Sequence, residues 1–137
     1  LPLTQRGLAS GVRLVTGHGR DGIWPELDWQ GLADPDTTLV VYMGLAHAAA
    51  IADRLIAAGL PPGTPAIVVE AGTTARERRV RATLAGLAPA LQEEPLQPPA
   101  LLVIGRVVEL LDAAAEAAAR PAAARPVDTL LTQLLHA

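Results

Sequence analysis

The sequence predicts an α/β fold, a single open, mostly parallel sheet flanked by helices, and three observations carry that prediction. Short apolar runs rich in β-branched residues recur at 38–42, 66–70 and 100–104, too apolar for half-exposed strands and too short for most helices. The first runs straight into Leu45, Ala48, Ala49, Ala52, Leu55 and Ile56 at helical spacing, with Asp53 and Arg54 on the other face. Glycine closes each run within two residues, at Gly44, Gly72 and Gly105, and Gly17 does the same for a shorter run at 12–15.

In chain order, residues 1–10, LPLTQRGLAS, show no sustained period and hold Pro2 and Gly7, which marks a linker or lead-in segment. Val12 to Val15 forms a short strand, and GHGRDG after it a loop. WPELDWQGLADPD is a turn and short helix packed by Trp24, Leu27, Trp29 and Leu32, closed by Asp34-Pro35-Asp36. The central strand follows, then a helix over 46–58 with Gly59 as its C-terminal cap, and LPPGTP, which cannot continue a helix.

AIVVE is a second buried strand, ended by the small-residue turn Ala71-Gly72-Thr73-Thr74. Arg76 to Leu84 fits an edge strand around Arg79 to Thr83 or the start of a helix, and the edge strand is preferred. Gly86 to Leu91 is helical; Pro95, Pro98 and Pro99 make a surface loop before the strand 100–104. From Val107 a helix grades into low complexity, broken at Pro121 and Pro126. Val127, Leu130, Leu131, Leu134 and Leu135 then share one helical stripe. The α/β domain is expected over 11–112, with 113–137 an Ala/Pro-rich extension ending in a short amphipathic helix.

Composition narrows the function. A chain of 137 residues suits one α/β domain, and a net charge of −3 with 2% aromatics supplies neither the basic field nor the stacking platform that nucleic acid needs. No cysteine is present, which excludes disulfides and thiolate chemistry, and three scattered histidines do not make a metal site. All eleven basic residues are arginine, so no lysine can act here. No run approaches the roughly 20 apolar residues of a bilayer span, and the start lacks a signal-peptide pattern, so a cytoplasmic protein without membrane association is expected. Leu1-Pro2-Leu3 opens the chain without an initiator methionine, as expected of a piece of a longer protein.

In a parallel sheet the four glycines would line one edge, where backbone can approach a ligand with no Cβ between. Each alone is an ordinary turn glycine; four together point to a cleft.

At TTLVVYMGLAHAAAIADRLIAAG, TPAIVVEAGTTARERRVRATLAGL and PPALLVIGRVV the sequence resembles the tetrapyrrole methylases, and within them the uroporphyrinogen-III C-methyltransferases that stand alone or form part of sirohaem synthase. PLTQR, GVRLVTGH and LDWQGLA fit the same family in the same order, so the resemblance covers about residues 2–110. It implies methyl transfer from S-adenosylmethionine to uroporphyrinogen III, giving precorrin-2 on the route to sirohaem or cobalamin, with S-adenosylhomocysteine as by-product. Family members fold the cofactor between two α/β domains, and this chain resembles only the second, C-terminal one. The glycine-rich loop, the Gly-Gly-Asp segment and the proposed acid/base residues of the first have no counterpart here, so the catalytic residues are unassigned and half a cofactor site is expected.

Carried over by position, Met43 matches a methionine packed on the cofactor, and Gly44 follows it. A polarizable, unbranched side chain suits a purine and a sulfonium, although a core methionine at a strand end is the plainer reading. Gly72 matches a glycine beside the adenine, and Ala71 stands where many relatives have asparagine. Gln5 departs from the family's usual histidine, whereas Arg6 keeps the match. Arg6, Arg13 and the cluster Arg76, Arg78, Arg79 and Arg81 are candidates for the substrate's carboxylates, since guanidinium forks suit them, against the plainer reading of a solvated charged face. His18 is a further candidate at the cleft, or a structural loop histidine.

The resemblance implies as partners the tetrapyrrole substrate, an N-terminal methylase domain and a second copy in a homodimer. The competing expectation is a non-catalytic interaction or dimerisation module that keeps the fold.

Overall fold

The computed structural model describes residues 1–22 and 24–119. The stripe Val127–Leu135 and most of the Ala/Pro-rich extension lie outside the described residues.

Among the described residues five strands form one sheet: β1 (Gly11–Thr16), β2 (Thr37–Tyr42), β3 (Pro65–Glu70), β4 (Arg78–Thr83) and β5 (Ala100–Ile104), in the order β1-β2-β5-β3-β4. The apolar runs became the three inner strands, as their hydrophobicity on both faces demands. The edges went to the strands that carry charge, β1 with Arg13 and β4 with Arg78, Arg79 and Arg81, which blunts open edges against further pairing.

The sheet is mixed and mostly antiparallel, which corrects the expectation of a mostly parallel one. Only β1 and β2 pair in parallel; β2–β5, β5–β3 and β3–β4 are antiparallel. The cause is one hairpin. Seven residues, 71–77, separate β3 from β4, too few for a crossover, so β4 turns back beside β3. The other links are helical crossovers that preserve direction. α1 (Trp29–Leu32) leads from β1 to β2, α2 (Ala48–Ala57) from β2 to β3, and α3 (Leu87–Glu93) from β4 to β5. The reversed β5 then slots between β2 and β3.

The reversal also moves a glycine. Gly17, Gly44 and Gly72 follow β1, β2 and β3 at one end of the sheet, but Gly105 follows β5 at the other, where an added Cβ would lie 3.4 Å from Thr38 Cα. Four glycines on one edge are therefore three.

One sheet face carries Leu39, Val41, Ala66, Val68, Leu102 and Ile104, closed by Ile51 and Leu55 of α2 and Leu87 of α3. Asp28 caps α1, its Oδ1 accepting from the Gly31 N–H at 3.1 Å, and Gly59, at φ 110°, ends α2 as expected. The other face is thinner. Val40, Ile67 and Val103 pack under Val108 and Leu111, where a 3-10 turn at Arg106–Glu109 leads into α4 (Leu110–Ala119). An Arg81–Asp112 ion pair ties α4 to β4. No helix among the described residues is long and apolar enough to cross a membrane.

Candidate functional site

At the end of the sheet where β2 and β3 finish, three non-glycine residues take left-handed backbone: Met43 (φ 54°), Ala71 (φ 47°) and Thr73 (φ 66°). Such conformations cost roughly 1–2 kcal/mol per residue in an L-amino acid and persist only where neighbours enforce them. Around the turn after β3 the enforcing bonds are visible. The Ala71 N–H donates to the Pro99 carbonyl at 2.9 Å. Thr74 Oγ1 donates to the Ala71 carbonyl at 2.6 Å, and the Thr73 N–H donates to Glu77 Oε2 at 2.8 Å.

Two carboxylates brace this turn from opposite sides. Glu77 also pairs with Arg79 at 2.5 Å, and the Thr73 N–H, then Arg79, hold its carboxyl below the usual glutamate value. Glu70 accepts the Gln97 N–H at 2.7 Å and faces Arg78 at 3.7 Å. It thereby fixes the loop that delivers the Pro99 carbonyl.

Beside the turn, on the thinner face of the sheet, opens a groove of about 810 Å³. Its floor is apolar, with Tyr42, Val69 and Leu101, and its rim is the turn itself together with Arg76 and Arg79. That volume lies within the range of small-molecule sites, and an apolar floor with a few placed polar groups is the usual construction. Gly72 suits a close approach: an added Cβ would meet only Val69 Cγ1, at 3.3 Å.

The candidates from the sequence divide. Ala71 and Gly72 line the groove. Met43 does not, yet it follows the groove residue Tyr42 directly and stands 61% exposed. Gly44 points the other way: an added Cβ would meet Val41 Cγ1 at 2.7 Å and Ile51 Cδ1 at 3.2 Å, so its smallness serves packing. His18 lies exposed just beyond Gly17, at the Met43 end, its N–H held by Thr16 Oγ1 at 3.3 Å.

Arg6 and Arg13 are elsewhere. Arg6 sits exposed in a reverse turn closed between Gln5 and Ala9, ahead of the start of β1. Arg13 faces α1 and helps hold the Asp34 carboxyl below its usual value, after the Asp36 N–H and the Thr37 hydroxyl. Within the arginine cluster, Arg78 pairs with Glu70 and Glu94, Arg79 with Glu77, and Arg81 with Asp112. Arg76 is the member on the groove with no ion pair among the described residues.

Thr73, Glu77 and Pro99 are the site residues that sequence reasoning missed. Thr73 and Glu77 stand four apart across a small-residue turn, a spacing that lets a carboxylate reach back to an N–H. Pro99 had no signal, because its place depends on β5 entering beside β3. Among the described residues no three His, Asp or Glu side chains gather as a metal site.

The sequence model of the Tetrapyrrole (Corrin/Porphyrin) Methylases matches residues 1–88. A uroporphyrinogen-III C-methyltransferase of Paracoccus denitrificans is 46% identical over 111 residues, 81% of this chain and 39% of that protein. The chloroplastic S-adenosyl-L-methionine-dependent uroporphyrinogen III methyltransferase of Arabidopsis thaliana is 50% identical over 111 residues, 80% of this chain and 30% of that one. Among solved structures, uroporphyrin-III C-methyl transferase from Thermus thermophilus complexed with S-adenyl homocysteine superposes with a TM-score of 0.70 at 40% identity, over 80% of this chain and 48% of that one. The chain thus spans less than half the length of these relatives.

Proposed function

Because the chain belongs to the tetrapyrrole methylase family, we propose that it forms one wall of an S-adenosylmethionine cleft in the C-methylation of uroporphyrinogen III to precorrin-2. The observation that carries this reading is the left-handed pair Met43 and Ala71, ending the two same-direction strands that flank β5, beside an apolar groove. Strained non-glycine backbone clusters at ligand sites. The groove fits the cofactor: its apolar floor suits a purine, Gly72 lets backbone come close, and the exposed Met43 thioether suits a sulfonium.

The cofactor supplies an electrophilic methyl group, and the reduced pyrrole is already electron-rich. The residues here therefore bind, align and exclude water rather than activate. Tyr42, Val69 and Leu101 cover an apolar surface, and the Ala71–Thr74 backbone fixes its edge. Arg76, without an ion pair among the described residues, is placed to meet a substrate carboxylate. No residue of the groove is offered as the base that takes the proton from the methylated carbon; that role is assigned to the other wall of the cleft, an N-terminal methylase domain.

The test is complementation. Mixed with the corresponding N-terminal domain of the Paracoccus relative, the folded chain is expected to restore methyl transfer from S-adenosylmethionine to uroporphyrinogen III. A folded mixture without activity would count against the reading. The alternative, a non-catalytic dimerisation module, draws on Leu14 and Tyr42, which stand 62% and 50% exposed on the thinner sheet face. Tight self-association with no cofactor effect in any mixture would favour it.

A further inference from the structure

Resting on that cofactor reading, we propose that Glu77 is a positioning residue, whose carboxylate locks the Gly72–Thr73 backbone in the shape that faces the groove. An exposed glutamate ordinarily keeps water around both oxygens. Glu77 has only 23% of its side chain exposed, and it accepts the Thr73 N–H on Oε2 at 2.8 Å and the Arg79 guanidinium on Oε1 at 2.5 Å. Threonine, β-branched, is among the residues least suited to a φ of 66°.

The Thr74 N–H, at 3.2 Å, and Thr74 Oγ1 both donate to the Ala71 carbonyl and close the turn across Gly72 and Thr73, and the Ala71 N–H ties it to Pro99. The Glu77 bond is the one that engages the N–H of Thr73 itself. Arg79 lies on β4, opposite Val69 of β3, so the guanidinium that orients the carboxylate is fixed by strand register. The carboxylate thus transmits the position of the sheet to the rim of the groove. The charged and titratable groups around it are Arg79 on β4, Arg76 on the turn and Tyr42 across the groove.

The test uses the isotope-labelled chain mixed with the corresponding N-terminal domain of the Paracoccus relative, so that both walls of the cleft are present, with S-adenosylhomocysteine as the probe and the Thr73 amide as the reporter. In the wild type the Thr73 amide shift is expected to follow a carboxylate titration below the usual glutamate range. Glu77→Gln keeps an accepting oxygen: the titration should vanish, while the φ-sensitive Thr73 coupling and the affinity for S-adenosylhomocysteine stay within about threefold. Glu77→Ala should shift the coupling away from its left-handed value and weaken binding about tenfold or more, the loss expected for a charge-assisted hydrogen bond.

Wild-type coupling and affinity in Glu77→Ala would overturn the proposal. Should that variant fail to fold, a wild-type Thr73 amide blind to acid titration would overturn it equally. No binding by the wild type, with Thr73 still following the carboxylate, would instead sink the cofactor reading and uphold the hold of Glu77 on the turn.

Discussion

Gly17 and Gly44 meet backbone to backbone: a Cβ on Gly17 would stand 2.6 Å from Gly44 Cα, and the Gly17 N–H already donates to the Tyr42 carbonyl at 2.7 Å. Neither partner can give way, because both are main chain at the ends of paired parallel strands. Gly17→Ala should therefore lower stability by about 1–3 kcal/mol, in the range of overpacking substitutions. Gly63→Ala is the control, since nothing lies within 4 Å of its added Cβ. It should be neutral or stabilising by about 0.4–1 kcal/mol through the unfolded chain. Urea unfolding midpoints of the two variants decide it, and equal effects would refute the close approach.

Ala71 holds a φ of 47° that asparagine and glycine tolerate far better. Its N–H bond to Pro99 at 2.9 Å does not depend on the side chain, so it survives substitution. Ala71→Asn should raise stability by about 0.5–1 kcal/mol, by relieving part of the left-handed strain. A midpoint unchanged or lowered, with the fold intact by circular dichroism, would show that the turn carries no such strain.

That turn also marks how far the fold can be read from the chain. β2, β3 and β5 were legible because an apolar run of five or six residues admits little else, and β4 because charges alternate along it. Strand direction was not. It depends on a single hairpin between Glu70 and Arg78, and residue patterns alone do not distinguish a seven-residue turn within a hairpin from the start of a crossover. Misreading it placed Gly105 at the wrong end of the sheet. The candidate site was half legible for a related reason. Gly72 announces a turn, but nothing in Met43, Ala71 or Thr73 announces left-handed backbone, since none is a residue type that prefers it. Arg6 and Arg13 share the chemistry of a carboxylate-binding site but not its location, and location is a property of the sheet.

Two carboxyls make stability depend on acid. Asp34, held chiefly by the Asp36 N–H, and Glu77, held chiefly by the Thr73 N–H, both titrate below their ordinary values of 3.8 and 4.5. The unfolded chain therefore binds these protons more readily than the folded one. Their contribution is complete above the ordinary values and is lost as pH falls through them towards the lower folded values. Urea midpoints should be flat from neutrality to about pH 5 and fall below it. The double variant Asp34→Asn, Glu77→Gln should show a shallower fall. An equal slope in both proteins would mean that other carboxylates set the acid response.

Met43 combines two features that an independent domain has no use for, a left-handed backbone at φ 54° and a side chain 61% exposed. Removing the side chain should help the fold and harm the site. Met43→Gly relieves the strain but frees the unfolded chain, for a net gain of about 0.5 kcal/mol. Met43→Leu keeps the strain and most of the apolar surface, so its stability should match the wild type. Affinity for S-adenosylhomocysteine in the mixture with the N-terminal domain, by calorimetry or amide shifts, should move the other way, about three- to tenfold weaker for glycine and within about threefold for leucine. Opposite signs for stability and binding in one residue are what a ligand contact on strained backbone requires. Stability gained with no change in affinity would place the thioether outside the cofactor's reach and leave Ala71, Gly72 and Thr73 to form that edge of the cleft alone.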